Sequence, residues 1–124
     1  MIIKTSELIG PALDWAVAKC LGVHPVYLIG KNFLSHQDQC NMCYSFDWSQ
    51  GGTIIELKGI SCILQSESEP RRWVSEYSLG CARSDHGRSW GPTALIAAMR
   101  CYCLAQLGDE VKIPKELAEL KNAS

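Results

Sequence analysis

The chain has 124 residues, 47% of them hydrophobic, with 12 lysines and arginines against 13 aspartates and glutamates. That length suits one domain, 1–124, with a core large enough to fold without metal or disulfide staples. A net charge of −1, a pI near 6.3 and scattered basic residues argue against direct nucleic-acid binding, and Met1 to Glu7 lacks the basic and apolar regions of a secretory signal, so a cytoplasmic protein is expected.

Ile2 and Ile3 suggest a short strand that turns at Thr5-Ser6-Glu7. Gly10-Pro11 then opens a helix over about 11–21, closed by Gly22. Its residues Leu13, Ala16, Val17, Cys20 and Leu21 follow the spacing of a core-facing stripe, with Asp14 and Trp15 on its flanks. Val26 to Ile29 reads as a strand and Lys31 to Gln39 as a polar connection. Tyr44 to Gly52 combines turn formers with aromatics and reads as a loop, after which Thr53 and Glu56 form a capping box that starts a short helix stopped by Gly59.

Ile60 to Leu64 reads as a strand, Gln65 to Arg72 as a surface turn, and Trp73 to Tyr77 as a further strand with Trp73, Ser75 and Tyr77 on one face. Leu79 to Trp90 is a long loop leading to a helix over about 92–107. Pro92 suits its first position and Gly108 a left-handed residue just past its end. Between them only Thr93, Arg100 and Gln106 are plainly polar, so the helix is apolar nearly all round and belongs in a core. It is too short, and Arg100 too central, for a membrane span of about 20 apolar residues. Glu110 to Ile113 can add an edge strand, and the charged tail from about 115 frays. The class is α+β: a small antiparallel or mixed sheet wrapped around one long buried helix, with a second amphipathic helix beside it.

Seven cysteines, an odd number in a chain without a signal, indicate reduced thiols. Cys40 and Cys43 form a single Cys-x-x-Cys that His36 can join, but a fourth zinc ligand is missing. No metal or cofactor is expected.

Three features can meet near the start of the long helix. The free amides near Gly91 to Ala94 favour an anion by roughly 0.3 to 2 kcal/mol. The preceding Arg83, His86 and Arg88 offer donors and Trp90 a flat face; the alternative is a capped helix under a solvated loop. Second, Thr93, Ala97 and Arg100 share one stripe, with a small side chain between two polar ones. Arg100 needs compensation there, from Asp14, Asp47 or Glu56 or from a ligand's phosphate or ribose. Third, in Asp47-Trp48-Ser49-Gln50-Gly51-Gly52, Asp47 and Gln50 can hydrogen-bond a base or sugar, Trp48 can stack, and Gly51 and Gly52 permit close approach. Base stacking on an aromatic contributes roughly 1 to 3 kcal/mol. Otherwise this is a tight turn with Trp48 plugging the core. Cys81 with His86, or Asp85 with His86, makes no recognisable catalytic constellation.

The chain resembles the NinX family of small lambdoid phage proteins. The likeness runs through Lys4 to Leu8 with Ala12 to Ala18, then Asp47-Trp48 to Gly51-Gly52-Thr53-Ile54-Ile55-Glu56, then Gly91 to Tyr102 with Leu107 to Val111. The family often places a proline after the paired glycines and after Gly-Pro-Thr, where this chain has Thr53 and Ala94, and Asn32 to Met42 lies outside the likeness. The resemblance implies a phage accessory protein in the cytoplasm of an infected bacterium. With the three features above, it suggests a sponge of anti-phage defence. Such a protein binds a small nucleotide-derived signal, cyclic ADP-ribose-like or a cyclic nucleotide, and sequesters it without cleavage. The alternatives are an interaction factor for phage recombination or replication and, third, a nucleotide-degrading enzyme. The small nucleotide is the expected partner, with no membrane and with room for a homo-oligomer.

Overall fold

A computed structural model describes residues 2–22, 43–65, 72–77 and 88–114, and the backbone of 26–29 and 33–36. The chain begins with β1 (Ile2–Lys4), a 3-10 turn (Thr5–Glu7) and helix α1 (Gly10–Cys20). A hairpin of β2 (Val26–Ile29) and β3 (Phe33–His36) follows, then α2 (Trp48–Lys58), and strands β4 (Ile60–Gln65), β5 (Arg72–Tyr77) and β6 (Arg88–Gly91). Helix α3 (Ala94–Leu107) and β7 (Glu110–Lys112) complete the order. Among the described residues every strand pair is antiparallel, so the α+β expectation holds. The strands are divided among three sheets, β1–β7, β2–β3 and β4–β5–β6.

Helix α3 is the centre. Nine of its residues are buried, from Ala94 to Leu104, and they point to every side, because α1, α2, the 3-10 turn, β7 and the three-stranded sheet all pack on it. The sheet presents a row of small residues to α3: Cys62, Ser75 and Ser89 lie directly opposite one another across β4, β5 and β6, and Cys62 Sγ reaches the Ala94 carbonyl at 3.9 Å. Beside that row a Cβ on Gly91 would stand 2.7 Å from the Ala97 nitrogen, so strand and helix touch at a distance only glycine permits.

Several boundaries differ from the sequence reading. Thr93, not Pro92, starts α3: it is the N-cap, its Oγ1 accepting the Ile96 amide at 3.1 Å. Gly108 ends the helix with φ 87° but ψ −167°, outside the left-handed helical region. Phe33 to His36, within the supposed polar connection, pairs with β2. Arg88 to Trp90, at the end of the supposed loop, forms β6 together with Gly91, because pairing with β5 satisfies its backbone.

The largest difference is at α2. The Thr53–Glu56 capping box does not form; the helix starts at Trp48, with Asp47 rather than Thr53 as its cap, and Thr53 Oγ1 instead donates to the Ser49 carbonyl at 3.1 Å. Gly51 and Gly52, read as loop, are helical. Packing outweighs the propensity penalty of two glycines. Gly59 stops α2 as expected, with φ 67° and ψ 46°. The expected edge strand near 110 pairs with β1, and Thr5 secures that junction by donating its amide to the Asp109 carbonyl and its hydroxyl to that of Gly108. The tail from 115 lies outside the described residues.

Candidate functional site

The turn Cys43–Phe46 and the start of α2 are fixed by a short chain of hydrogen bonds. Asp47 Oδ1 accepts the Ser49 amide at 2.9 Å and its hydroxyl at 2.7 Å, which holds the Asp47 carboxyl below the usual range. Gln50 Nε2 donates to Asp47 Oδ2 at 3.3 Å, while Gln50 Oε1 accepts the Cys43 amide at 2.8 Å. Asp47 and Gln50 thus spend hydrogen bonds on their own turn. Gly51 is buried, and a Cβ there would lie 2.4 Å from the Tyr44 carbonyl oxygen and 2.7 Å from a Leu95 methyl. The close approach that Gly51 allows is between α2 and the protein itself. At Gly52 a Cβ would meet only the Trp48 ring, at 3.3 Å.

Trp48, the first residue of α2, does not plug the core: it is 58% exposed, and Phe46 is 59% exposed. Between this aromatic pair and the first turn of α3 runs a cleft of about 190 Å³, lined by Ser45, Phe46, Trp48, Thr93, Ala94, Leu95 and Ile96. The Thr93 side chain and carbonyl take the Ile96 and Ala97 amides. Ala94 and Leu95, whose amides have no carbonyl four residues back to pair with, form the cleft's helical wall.

Of the residues singled out in the sequence, Trp48 and Thr93 line this cleft, whereas Asp47, Gln50, Gly51 and Gly52 belong to the cap and first turns of α2 and are not part of the lining. Arg88, Trp90 and Arg100 are placed elsewhere. Period-two alternation in β6 turns Ser89 and Gly91 toward α3 and leaves Arg88 and Trp90 exposed on the opposite face. There Arg88 pairs with Glu76, and the Arg72 guanidinium lies 5.5 Å over the Trp90 ring. Arg100 is half-buried, and neither Asp14, Asp47 nor Glu56 is its partner. Its Nε donates to the Leu8 carbonyl at 2.7 Å and its Nη1 to the Trp90 carbonyl at 2.9 Å, stitching α3 to the chain before α1 and to β6. Burial pulls the guanidinium below its ordinary range, opposed by the charge of Glu7. Arg83 and His86 lie outside the described residues, as do Cys40, Cys81 and Asp85.

One residue escaped the sequence reading. Asp14, expected to flank the α1 stripe, is 1% exposed, and its Oδ1 accepts the Ser45 amide at 2.8 Å. Burial pushes its carboxyl up to about 7 despite that bond. The signal was available: Asp14 stands four residues before Ala18 and three before Val17, within the apolar stripe. Its neighbours are also raised by burial. Cys43 and Tyr44 feel the Asp14 charge, as does the deeply buried Cys103, whose thiol is hydrogen-bonded to that of Cys20. Such thiols are poor nucleophiles.

The family described as bacteriophage P22, NinX, matches residues 4–106. The chain belongs to the NinX family. No curated protein matches it. The matched span runs from the end of β1 to the last turn of α3, so in this NinX chain it contains Asp14 and every residue of the cleft. Among the described residues no helix is long and apolar enough to cross a membrane.

Proposed function

We propose that this NinX-family chain binds a small nucleotide-derived signal of bacterial anti-phage defence, cyclic ADP-ribose-like or a cyclic nucleotide, and sequesters it without cleaving it. The observation that carries the reading is Trp48, more than half exposed on the rim of a cleft whose opposite wall is the first turn of a fourteen-residue helix. An indole face suits a heterocycle, and first-turn amides suit a phosphate or ribose oxygen. A volume of about 190 Å³ lies below the roughly 300 to 1,000 Å³ of sites that enclose a whole ligand, so the cleft takes one group of the nucleotide and leaves the rest to solvent. Among the described residues, those lining it offer the Thr93 hydroxyl and, beside it, a Ser45 hydroxyl already bonded to Asp14, with no histidine, cysteine, carboxylate or amine, which supports holding over turnover.

A panel of linear and cyclic adenine nucleotides, followed by thermal shift and native mass spectrometry, tests this. A ligand at 100 times its Kd stabilises the fold by about 2.7 kcal/mol. The expected result is a shift with the nucleotide recovered intact, lost in Trp48→Ala and kept in Arg88→Ala. A shift equal in both variants refutes the site, and an altered nucleotide makes the protein an enzyme.

The reading as an interaction factor draws on a different surface. Ile63, Val74 and Trp90 stand opposite one another across the outer face of the three-stranded sheet, and Ile63 is 56% exposed. Absence of any shift across the panel moves the weight to that face.

A further inference from the structure

Asp14 belongs to the core and to the cleft wall at once. It projects from α1 with 1% exposure, and the amide its carboxyl accepts is that of Ser45, itself 3% exposed and part of the cleft lining. The turn around Ser45 is rigidly joined to the aromatic rim. The Phe46 and Asp47 amides donate to the Cys43 carbonyl at 3.2 and 2.8 Å, and Gln50 of α2 holds the Cys43 amide. What displaces Ser45 therefore displaces Phe46 and Trp48 with it.

We propose that Asp14 is a positioning residue for the cleft: its carboxyl seats the Cys43–Phe46 turn, and with it the Phe46 and Trp48 rim, against the first turn of α3, in a proton-linked way. The proposal rests on the cleft being the binding site. Among the described residues, the titratable groups facing the carboxyl are Cys43 and Tyr44 of the turn and Cys103 of α3, with Asp47 beyond Cys43; each is a neutral acid or an anion. None offers a positive charge to an ionised Asp14. The seated turn keeps the carboxyl dry and protonated up to about pH 7. When the turn lifts, water reaches the group, it returns to the ordinary aspartate range, and its proton leaves to solvent. Opening then becomes about tenfold easier for each pH unit between roughly 4 and 7, and levels off above.

The test is amide hydrogen exchange on the full chain without ligand, from pH 4.5 to 8.5, corrected for the intrinsic rate and referenced to the α3 amides. Protection of the 43–47 amides is expected to fall about tenfold per unit up to pH 7 in the wild type. In Asp14→Asn it is expected to be flat. The same slope in Asp14→Asn, or none in the wild type, overturns the proposal. Should Asp14→Asn fail to fold, NMR titration of the wild type decides. The Asp14 carboxyl carbon and the Ser45 amide should share one midpoint, and a Ser45 amide indifferent to that titration overturns the proposal equally. With cyclic ADP-ribose as probe, affinity should fall only where the open turn becomes a sizeable fraction of the population. A proton-linked turn in a chain that binds no nucleotide supports the role of Asp14 and counts against the nucleotide reading alone, so the two failures are distinguishable.

Discussion

Gly51 and Gly52 are neighbours in one helix, yet alanine should act on them in opposite directions. In an exposed helix interior, glycine to alanine is worth about 0.5 to 1 kcal/mol in favour of the fold. Gly52 is close to that case: its new Cβ meets only the Trp48 ring, at 3.3 Å, and that exposed side chain can yield. At Gly51 the Cβ would stand 2.4 Å from a backbone carbonyl oxygen and 2.7 Å from buried Leu95. A backbone atom cannot rotate away, so α2 must back off the turn at Tyr44 and, with it, Leu95 of α3. Overpacking of this kind costs about 1 to 3 kcal/mol. Net of the propensity gain, Gly51→Ala should destabilise by about 1 to 2 kcal/mol and Gly52→Ala should be neutral or stabilise by up to about 1 kcal/mol. Urea unfolding followed by circular dichroism reads both, with the midpoints moving apart at unchanged slope. Equal stability of the two variants would refute the argument that Gly51 serves the α2–α3 contact.

Removing Arg100 strips two carbonyls of their donor: Arg100→Met should cost about 2 to 4 kcal/mol in a urea melt, whereas Arg88→Met, which breaks only an exposed pair, should cost less than about 1 kcal/mol. Thr93→Ala removes the α3 cap and should cost about 1 kcal/mol, with Thr93→Ser close to wild type; identical melts for both would show that the cap contributes nothing. The Asp14 carboxyl, raised in the folded state to about 7 from an ordinary 3.8, binds a proton that the unfolded chain does not hold between those values. Its contribution to stability is therefore fullest in acid and is lost as pH rises toward 7, by about 4 kcal/mol at most. Calorimetry should show this fall in the wild type and its absence in Asp14→Asn, after subtraction of the slope common to both.

The sequence by itself determined the elements whose local and global signals agree. Helix α3 was legible because the run from Ala94 to Leu107, polar only at Arg100 and Gln106 and bounded by Gly91-Pro92-Thr93 and Gly108, is apolar nearly all round and must be wrapped by the rest of the chain. The stripe of α1, the strands at 2–4, 26–29, 60–65 and 72–77, and the likeness to the NinX family were legible for the same reason: pattern and punctuation coincide.

Tertiary structure alone decided the rest. Glycine has a low propensity for helix interiors, so a sequence reading stops a helix at Gly51-Gly52; only the contact with Tyr44 and Leu95 makes those glycines an asset. Arg88 and Trp90 precede the long helix closely in sequence, but the pairing of β6 with β5 turns both side chains away from it, a consequence of register. The partners of Arg100 were backbone carbonyls of Leu8 and Trp90, which carry no mark in a sequence because every residue has one. Asp14 likewise gained its character from burial in the core, against a partner that is a backbone amide thirty-one residues away. Side-chain periodicity is written along the chain, whereas the pairing of main-chain groups between distant segments depends on how the elements dock.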